Sequence, residues 1–226
     1  MAARWQELNM EAPRRRVICN QKTGLVFQLQ KRISVLRFNR ICMAKKRVFP
    51  LAQVYGLLEP GPVVLVTTAR AGQANIMPMS WHTMMEFVPP LVGCVISSLN
   101  HTFEMLRATG ECVINVPTVE LAKKVVGCGN TSGLLVDKFK TFCLTPVAAS
   151  VVEAPLIAEC YASLECKVFD IRLVAQYNFF ILEVVKAWID PSRKRPRTIH
   201  HQGEGVFVVP GRTIKLPSPK TSFFTK

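Results

Sequence analysis

Residues 62–103 read PVVLVTTARAGQANIMPMSWHTMMEFVPPLVGCVISSLNHTF, and this stretch decides the fold. A run of β-formers at residues 62–68 meets a Gly-containing turn at residues 69–73. A second extended segment, residues 74–82, carries Asn75, Met79, Ser80 and Trp81. After Pro89 and Pro90 comes an apolar strand, residues 91–97, ending in the polar cluster Ser97, Ser98, Asn100, His101 and Thr102. Small polar donors thus fall at the ends of neighbouring strands, beside one large aromatic. That arrangement suits a flat, aromatic, anionic ligand: the ring offers a face, and hydroxyls and amides hold oxyanions.

Outward from this stretch the pattern stays mainly β. Residues 111–116 form another short apolar run, while residues 102–108 and 119–126 have helical spacing. Thr118 is placed to cap the second of these, with Leu121, Val125 and Val126 on one face. In residues 156–168 the apolar positions are Leu156, Ala158, Cys160, Ala162, Leu164, Cys166 and Val168. Glu159, Ser163, Glu165 and Lys167 alternate with them, which predicts one long strand with a buried face and a wet face. Phe180, Leu182, Val184 and Trp188 repeat the pattern opposite Glu183, and Pro210-Gly211 marks a short C-terminal hairpin. Many antiparallel strands with few helices predict a small closed β-barrel.

The chain has 226 residues and is 49% hydrophobic, enough for one domain with a substantial core. No apolar run approaches the roughly 20 residues of a membrane span, and no signal peptide is recognisable, so a cytoplasmic location is expected. The formal net charge is +14. Nine basic residues precede Met43 against only Glu7 and Glu11, so half of the excess sits in that short leading segment. Basic and aromatic residues do not interleave as a stacking platform requires, which argues against nucleic acid as a partner. Within residues 1–42, Leu25, Leu29, Ile33 and Leu36 have near-helical spacing among Lys31, Arg32, Arg37 and Arg40. This reads as a basic amphipathic segment, for a membrane surface or for targeting, or as sequence upstream of a natural start at Met43. In either case residues 1–42 are expected to be poorly ordered, residues 43–215 to form the barrel, and residues 216–226 to fray. Most of the eight cysteines sit in apolar runs, as reduced core thiols would; Cys128, between Gly127 and Gly129, reads as an exposed loop residue. No Cys pair or nearby His has metal-ligand spacing, so no metal site is expected.

With these residues in view, the chain resembles the flavin reductase-like, FMN-binding split-barrel family, which includes flavoredoxin-like flavoproteins, from about Phe49 to Lys215. The resemblance implies a Greek-key split β-barrel with a few short helices, assembled as a homodimer. It implies non-covalent FMN as cofactor, with Asn75, Met79, Ser80 and Trp81 lining the ring and ribityl chain. Ser97, Asn100 and Thr102 would meet the phosphate. Lys138, in Asp137-Lys138-Phe139, matches a position whose cation reaches the phosphate or the ring edge. Tyr177 and Asn178 stand where relatives often carry a His near the ring, so no acid–base role transfers. Phe207 occupies a late aromatic position that a partner subunit can supply, and Pro78 replaces a common Thr.

Two other motifs carry less. Gly127, Gly129 and Gly133 lack the spacing and the preceding strand of a dinucleotide fingerprint, and read as a loop near the flavin. His200 and His201, adjacent on an extended chain, point to opposite sides and read as loop residues. The resemblance implies NAD(P)H as electron donor and hydride transfer to flavin N5, with a monooxygenase or another redox protein as possible partner. The cofactor performs such chemistry, so no catalytic acid or base is expected in the chain. Alternatives are a flavoredoxin-like electron carrier, a flavin-binding barrel without redox activity, and a basic RNA- or membrane-binding module.

Overall fold

The computed structural model describes residues 61–214. The expected N-terminal extension, the boundary near Met43 and the C-terminal tail lie outside the described residues. The first elements are strands β1 (Val64–Arg70), β2 (Gln73–Met79), β3 (His82–Phe87) and β4 (Pro90–Val95), followed by helix α1 (His101–Thr109) and strand β5 (Glu111–Val116). Next come a 3-10 turn (Val119–Leu121), helix α2 (Ala122–Gly129) and a one-turn helix α3 (Lys138–Thr141). Short strands β6 (Pro146–Val147) and β7 (Leu156–Ile157) precede the long strands β8 (Ala162–Asp170) and β9 (Phe179–Ile189), with α4 (Val174–Tyr177) between the latter two. A small hairpin, β10 (His200–His201) and β11 (Phe207–Val208), completes the described chain.

Seven strands form one antiparallel sheet in the order β2-β1-β5-β8-β9-β4-β3. Its two edge strands, β2 and β3, are consecutive in the chain and separated only by Ser80 and Trp81. The sheet must therefore curl until its edges meet at that corner, where the segment stops pairing with β1 and starts pairing with β4. Val95 N–H donates to Trp81 O at 3.0 Å and His82 N–H to Ser80 O at 3.1 Å, which fixes the corner. The inner cluster includes Val64, Val66, Val92, Cys94, Phe103, Leu106, Cys166, Phe180 and Leu182, with α1 packed over it. A second cluster holds α2 and α3 against the outer face through Leu65, Ile76, Leu121, Val125, Phe139 and Ile199.

The expected long strand over residues 156–168 is instead two strands, β7 and β8, with a turn between them. Its wet face is wet only in part: Lys167 is exposed, but Ser163 and Glu165 are buried. The reason is tertiary. The segment leading through β7 lies across that face, packing Val152 and Ala154 on Val113. The Glu165 carboxylate accepts from the amides of Ser150 (3.1 Å), Val151 (2.6 Å) and Val152 (3.2 Å) and from Trp188 Nε1 (2.7 Å). Trp188 itself lies outside the buried set, because β8 and β9 slip register at Glu165/Cys166. Asn115, a polar residue in the apolar run of β5, bonds Leu65 O, Ser163 Oγ and Ile157 N–H, pinning the same segment.

Other expectations need smaller corrections. The helix over residues 119–126 begins as a 3-10 turn and runs to Gly129, and the Thr118 hydroxyl bonds the Glu120 carboxylate rather than capping the backbone. Gly127 and Gly129 are thus helical rather than looped, and Cys128 is buried, which pushes its thiol up to about 11. The C-terminal hairpin turns at Gly203, Glu204 and Gly205, all with positive φ, and not at Pro210-Gly211. Among the described residues every cysteine is free, and only Cys143 is exposed.

Candidate functional site

The expected site residues gather along β2 and around the corner at its end. On the inner side of β2, Asn75 is 4% exposed and its Nδ2 donates to Thr102 Oγ1 at 2.8 Å. The Asn75 Oδ1 has no partner among the described residues. Swapping the two carboxamide ends would move the deficit to the nitrogen, so one buried polar atom is unpaired either way. Gly133 closes over this group: a Cβ there would overlap Oδ1 and sit 2.7 Å from Cγ. Glycine at 133 is what allows the turn to approach so closely.

Thr102 comes from the first turn of α1, and this turn is built by the polar cluster that follows β4. Ser97 Oγ accepts from Leu99 N–H at 3.3 Å, and Ser97 O accepts from Asn100 N–H at 2.9 Å. Asn100 is the N-cap residue, yet its side chain makes no capping bond and stands exposed. The amides that open an α-helix lack intrahelical acceptors, and the helix dipole favours an anion beside them. Asn178, held at φ 55 between α4 and β9, accepts from Ile96 N–H at 3.0 Å and so anchors the chain just before Ser97. Tyr177 is exposed at the end of α4.

Along the outer, unpaired edge of β2, Lys138 inserts its ammonium. Nζ donates to Ile76 O at 2.7 Å and to Cys128 O at 2.8 Å, with the residue 5% exposed. Burial lowers its pKa, against the opposing effect of Cys128. The side chain is a clamp between an edge strand and the end of α2, and not a solvated charge. Beyond it, at the corner, a cavity of about 580 Å³ is walled by Met79, Ser80, Asn130, His201 and Phe207. Trp81, adjacent to this wall in sequence, is 54% exposed. Phe207 packs on the outer cluster and its ring lies 5.2 Å from that of His201.

The structure therefore joins Asn75 to Thr102, ties Lys138 to the same strand, and puts Met79, Ser80 and Phe207 on one cavity. Sequence reasoning missed Asn130, placed Gly133 only in a loop near the flavin without its contact to Asn75, and read His201 as a loop residue, which the structure puts on the cavity wall. Gly133 had a signal, since it was one of three closely spaced glycines, but its contact with Asn75 is long-range. A larger cavity, about 910 Å³, lies beyond the 133–137 turn and is lined by none of the expected residues. Among the described residues no group of His, Cys, Asp and Glu could hold a metal, and no helix is long and apolar enough to cross a membrane.

Residues 57–206 match the family model described as flavin reductase like domain. An uncharacterized protein of Archaeoglobus fulgidus is 34% identical over 111 residues, which span 49% of this chain and 63% of that protein. The uncharacterized protein YddH of Escherichia coli is 30% identical over 172 residues, covering 70% of this chain and 91% of its own length. Among solved structures, an FMN-binding domain of a flavin reductases-like enzyme from Shewanella baltica superposes with a TM-score of 0.65 at 29% identity, covering 75% of this chain and 96% of that one.

Proposed function

This chain belongs to the flavin reductase-like family, and on that premise we propose that it binds FMN non-covalently and works as an NAD(P)H-dependent oxidoreductase. When bound, FMN would supply two-electron redox chemistry. The chain's own residues bind and orient. The opening turn of α1, with Ser97, Asn100 and Thr102, holds the phosphate by hydroxyls and amides. Asn75, Met79 and Ser80 receive the ribityl chain and ring, Trp81 and Phe207 supply aromatic faces at the corner, and Asn178 and Tyr177 flank the Ser97 turn. Lys138 holds β2 and α2 in register and keeps a positive charge near the strand. The residues present fit the group on one observation above all: the amides that open α1 have no side-chain cap, and Asn100 stands exposed beside them, next to the buried Asn75–Thr102 pair, where an anionic group can be received.

The chain forms a cytoplasmic homodimer, and the surface a second copy would cover is β3, where Met84, Met85, Phe87 and Val88 are exposed next to Trp81. The reduced flavin serves a monooxygenase or another redox protein. The test is flavin content and FMN affinity of the purified chain beside Thr102→Val and Asn75→Ala. Loss of at least about tenfold in affinity in both variants supports the site, since each loses a buried hydrogen bond to the cofactor or to the group that orients it. Unchanged retention would move the site elsewhere. Anaerobic bleaching by NADH or NADPH then identifies a reductase. A yellow protein that only a redox protein reduces is a flavoredoxin-like carrier, and one that neither reduces is a flavin-binding barrel without redox activity.

A further inference from the structure

The loop joining β9 to β10 carries Arg193, Lys194, Arg195 and Arg197. Residues 61–214 contain 14 basic and 12 acidic side chains, so without these four cations the described fold would hold ten basic against twelve acidic. The loop thus holds four of the fourteen basic side chains of the described residues within five positions. One of its cations is paired. Arg193 pairs with Asp190 at 3.4 Å and Glu120 at 3.8 Å, and donates to Thr118 Oγ1 at 3.2 Å. Arg197 lies close enough to Glu120 to help lower its pKa, behind the larger effects of the Thr118 hydroxyl and of Glu120's own backbone amide. Lys194 and Arg195 are exposed, and among the described residues no ion pair is recorded for either.

The loop is held in place. Arg197 O accepts from Val119 N–H at 2.8 Å and Ile199 O from Val63 N–H at 2.8 Å. Arg193 ties its start to the turn before α2. From Ile199 the chain enters β10, whose His201 walls the corner cavity together with Ser80 and Phe207. Arg195 is six residues from His201 in the sequence, so at about 3.3 Å per residue the two are at most about 20 Å apart. Two uncompensated cations on a fixed loop match one phosphate monoester dianion, and the planar fork of an arginine grips such a group in two directions. A nucleic acid would need a broad basic field, which a fold with ten basic and twelve acidic residues elsewhere does not offer.

From this we infer that Lys194 and Arg195 bind the 2′-phosphate of a phosphorylated nicotinamide dinucleotide whose reactive ring enters the corner cavity, making the chain selective for NADPH over NADH. The inference rests on the reading of the chain as a nicotinamide-dependent reductase, and its test is separable from that reading. The full chain, loaded with FMN, is titrated with 2′,5′-ADP and with 5′-ADP by calorimetry at low ionic strength. The 2′,5′-ADP should bind about tenfold more tightly, the scale of one charge-assisted contact. The preference should shrink as salt is raised and vanish in Lys194→Ala/Arg195→Ala. The charge reversal Arg195→Glu should turn it against the phosphorylated nucleotide. Equal affinities in the unmodified chain, or a preference that survives both variants, would overturn the inference; equal affinities together with salt-sensitive binding of an acidic redox protein would reassign the loop to that partner. If the protein takes up no FMN the reductase reading fails, while the nucleotide titration still reports on the loop.

Discussion

Glycine at position 133 and asparagine at position 75 should behave as one unit, and the coupling can be worked out from the structure. A β-carbon at Gly133 would overlap Asn75 Oδ1 and stand 2.7 Å from Cγ, but it would meet the Asn75 Cβ at 3.5 Å, an ordinary contact. Gly133→Ala must therefore expel the carboxamide from its buried position. That sacrifices the 2.8 Å bond to Thr102 and adds overpacking, for a combined cost of about 2–3 kcal/mol. Asn75→Ala removes the same bond without a clash and should cost about 1–2 kcal/mol. In the Asn75→Ala background the new methyl meets only the remaining Cβ, so Gly133→Ala should add less than about 0.5 kcal/mol there. Urea denaturation of the four proteins, with unchanged slopes, should give a coupling near 2 kcal/mol. FMN affinity should follow the same pattern, the double variant binding no worse than Asn75→Ala. Additive losses within about 0.5 kcal/mol would refute the reasoning, because they would mean that the 133–137 turn is not held against Asn75.

Three further outcomes follow from the geometry. Glu165→Gln should destabilise the chain by about 2–3 kcal/mol at neutral pH, since an amide nitrogen replaces one oxygen facing several N–H donors. Burial alone would raise the Glu165 pKa, but the bonds from Trp188 and the Ser150 and Val151 amides outweigh it and the net shift is downward. A carboxyl depressed in the folded state stabilises fully above its unfolded value of about 4.3 and loses that contribution as pH falls through the folded one, so the acid limb of the stability curve should be steeper in the unmodified chain than in Glu165→Gln. Lys138→Met leaves the carbonyls of Ile76 and Cys128 without their buried donor and should cost about 2–4 kcal/mol, measurable by thermal and urea melts, with weaker FMN retention. Phe87→Glu on the exposed face of β3 should shift sedimentation from dimer to monomer; an unmodified chain that already sediments as a monomer with full flavin content would refute the dimer.

How far the sequence reached depended on which contacts were local. The short apolar runs around residues 62–116 show their strands because each is bounded by Gly, Pro or polar turns. The helix after Asn100 follows directly from the polar cluster. Strand β8 was misread because alternation reports a wet face only when nothing covers it, and here the segment before Ile157 does. Glu165 and Asn115 carry no local mark of burial; they are buried because that distant segment brings donors and acceptors to them. Lys138 alone looks like an ordinary surface charge, and only the fold shows two carbonyls waiting for it. The turn of the last hairpin was legible in Gly203-Glu204-Gly205, yet Pro210-Gly211 offered a stronger local signal. The corner at Ser80 and Trp81 was visible as a motif, but its meaning, the meeting of the two sheet edges, requires the strand order.

The most direct measurement of the central claim is the visible spectrum of the purified full chain, with chromatographic identification of any flavin released on denaturation. The account predicts a yellow protein with flavin absorbance that releases FMN, or a colourless one that takes FMN up stoichiometrically when it is added. A colourless protein that fails to bind added FMN would contradict it.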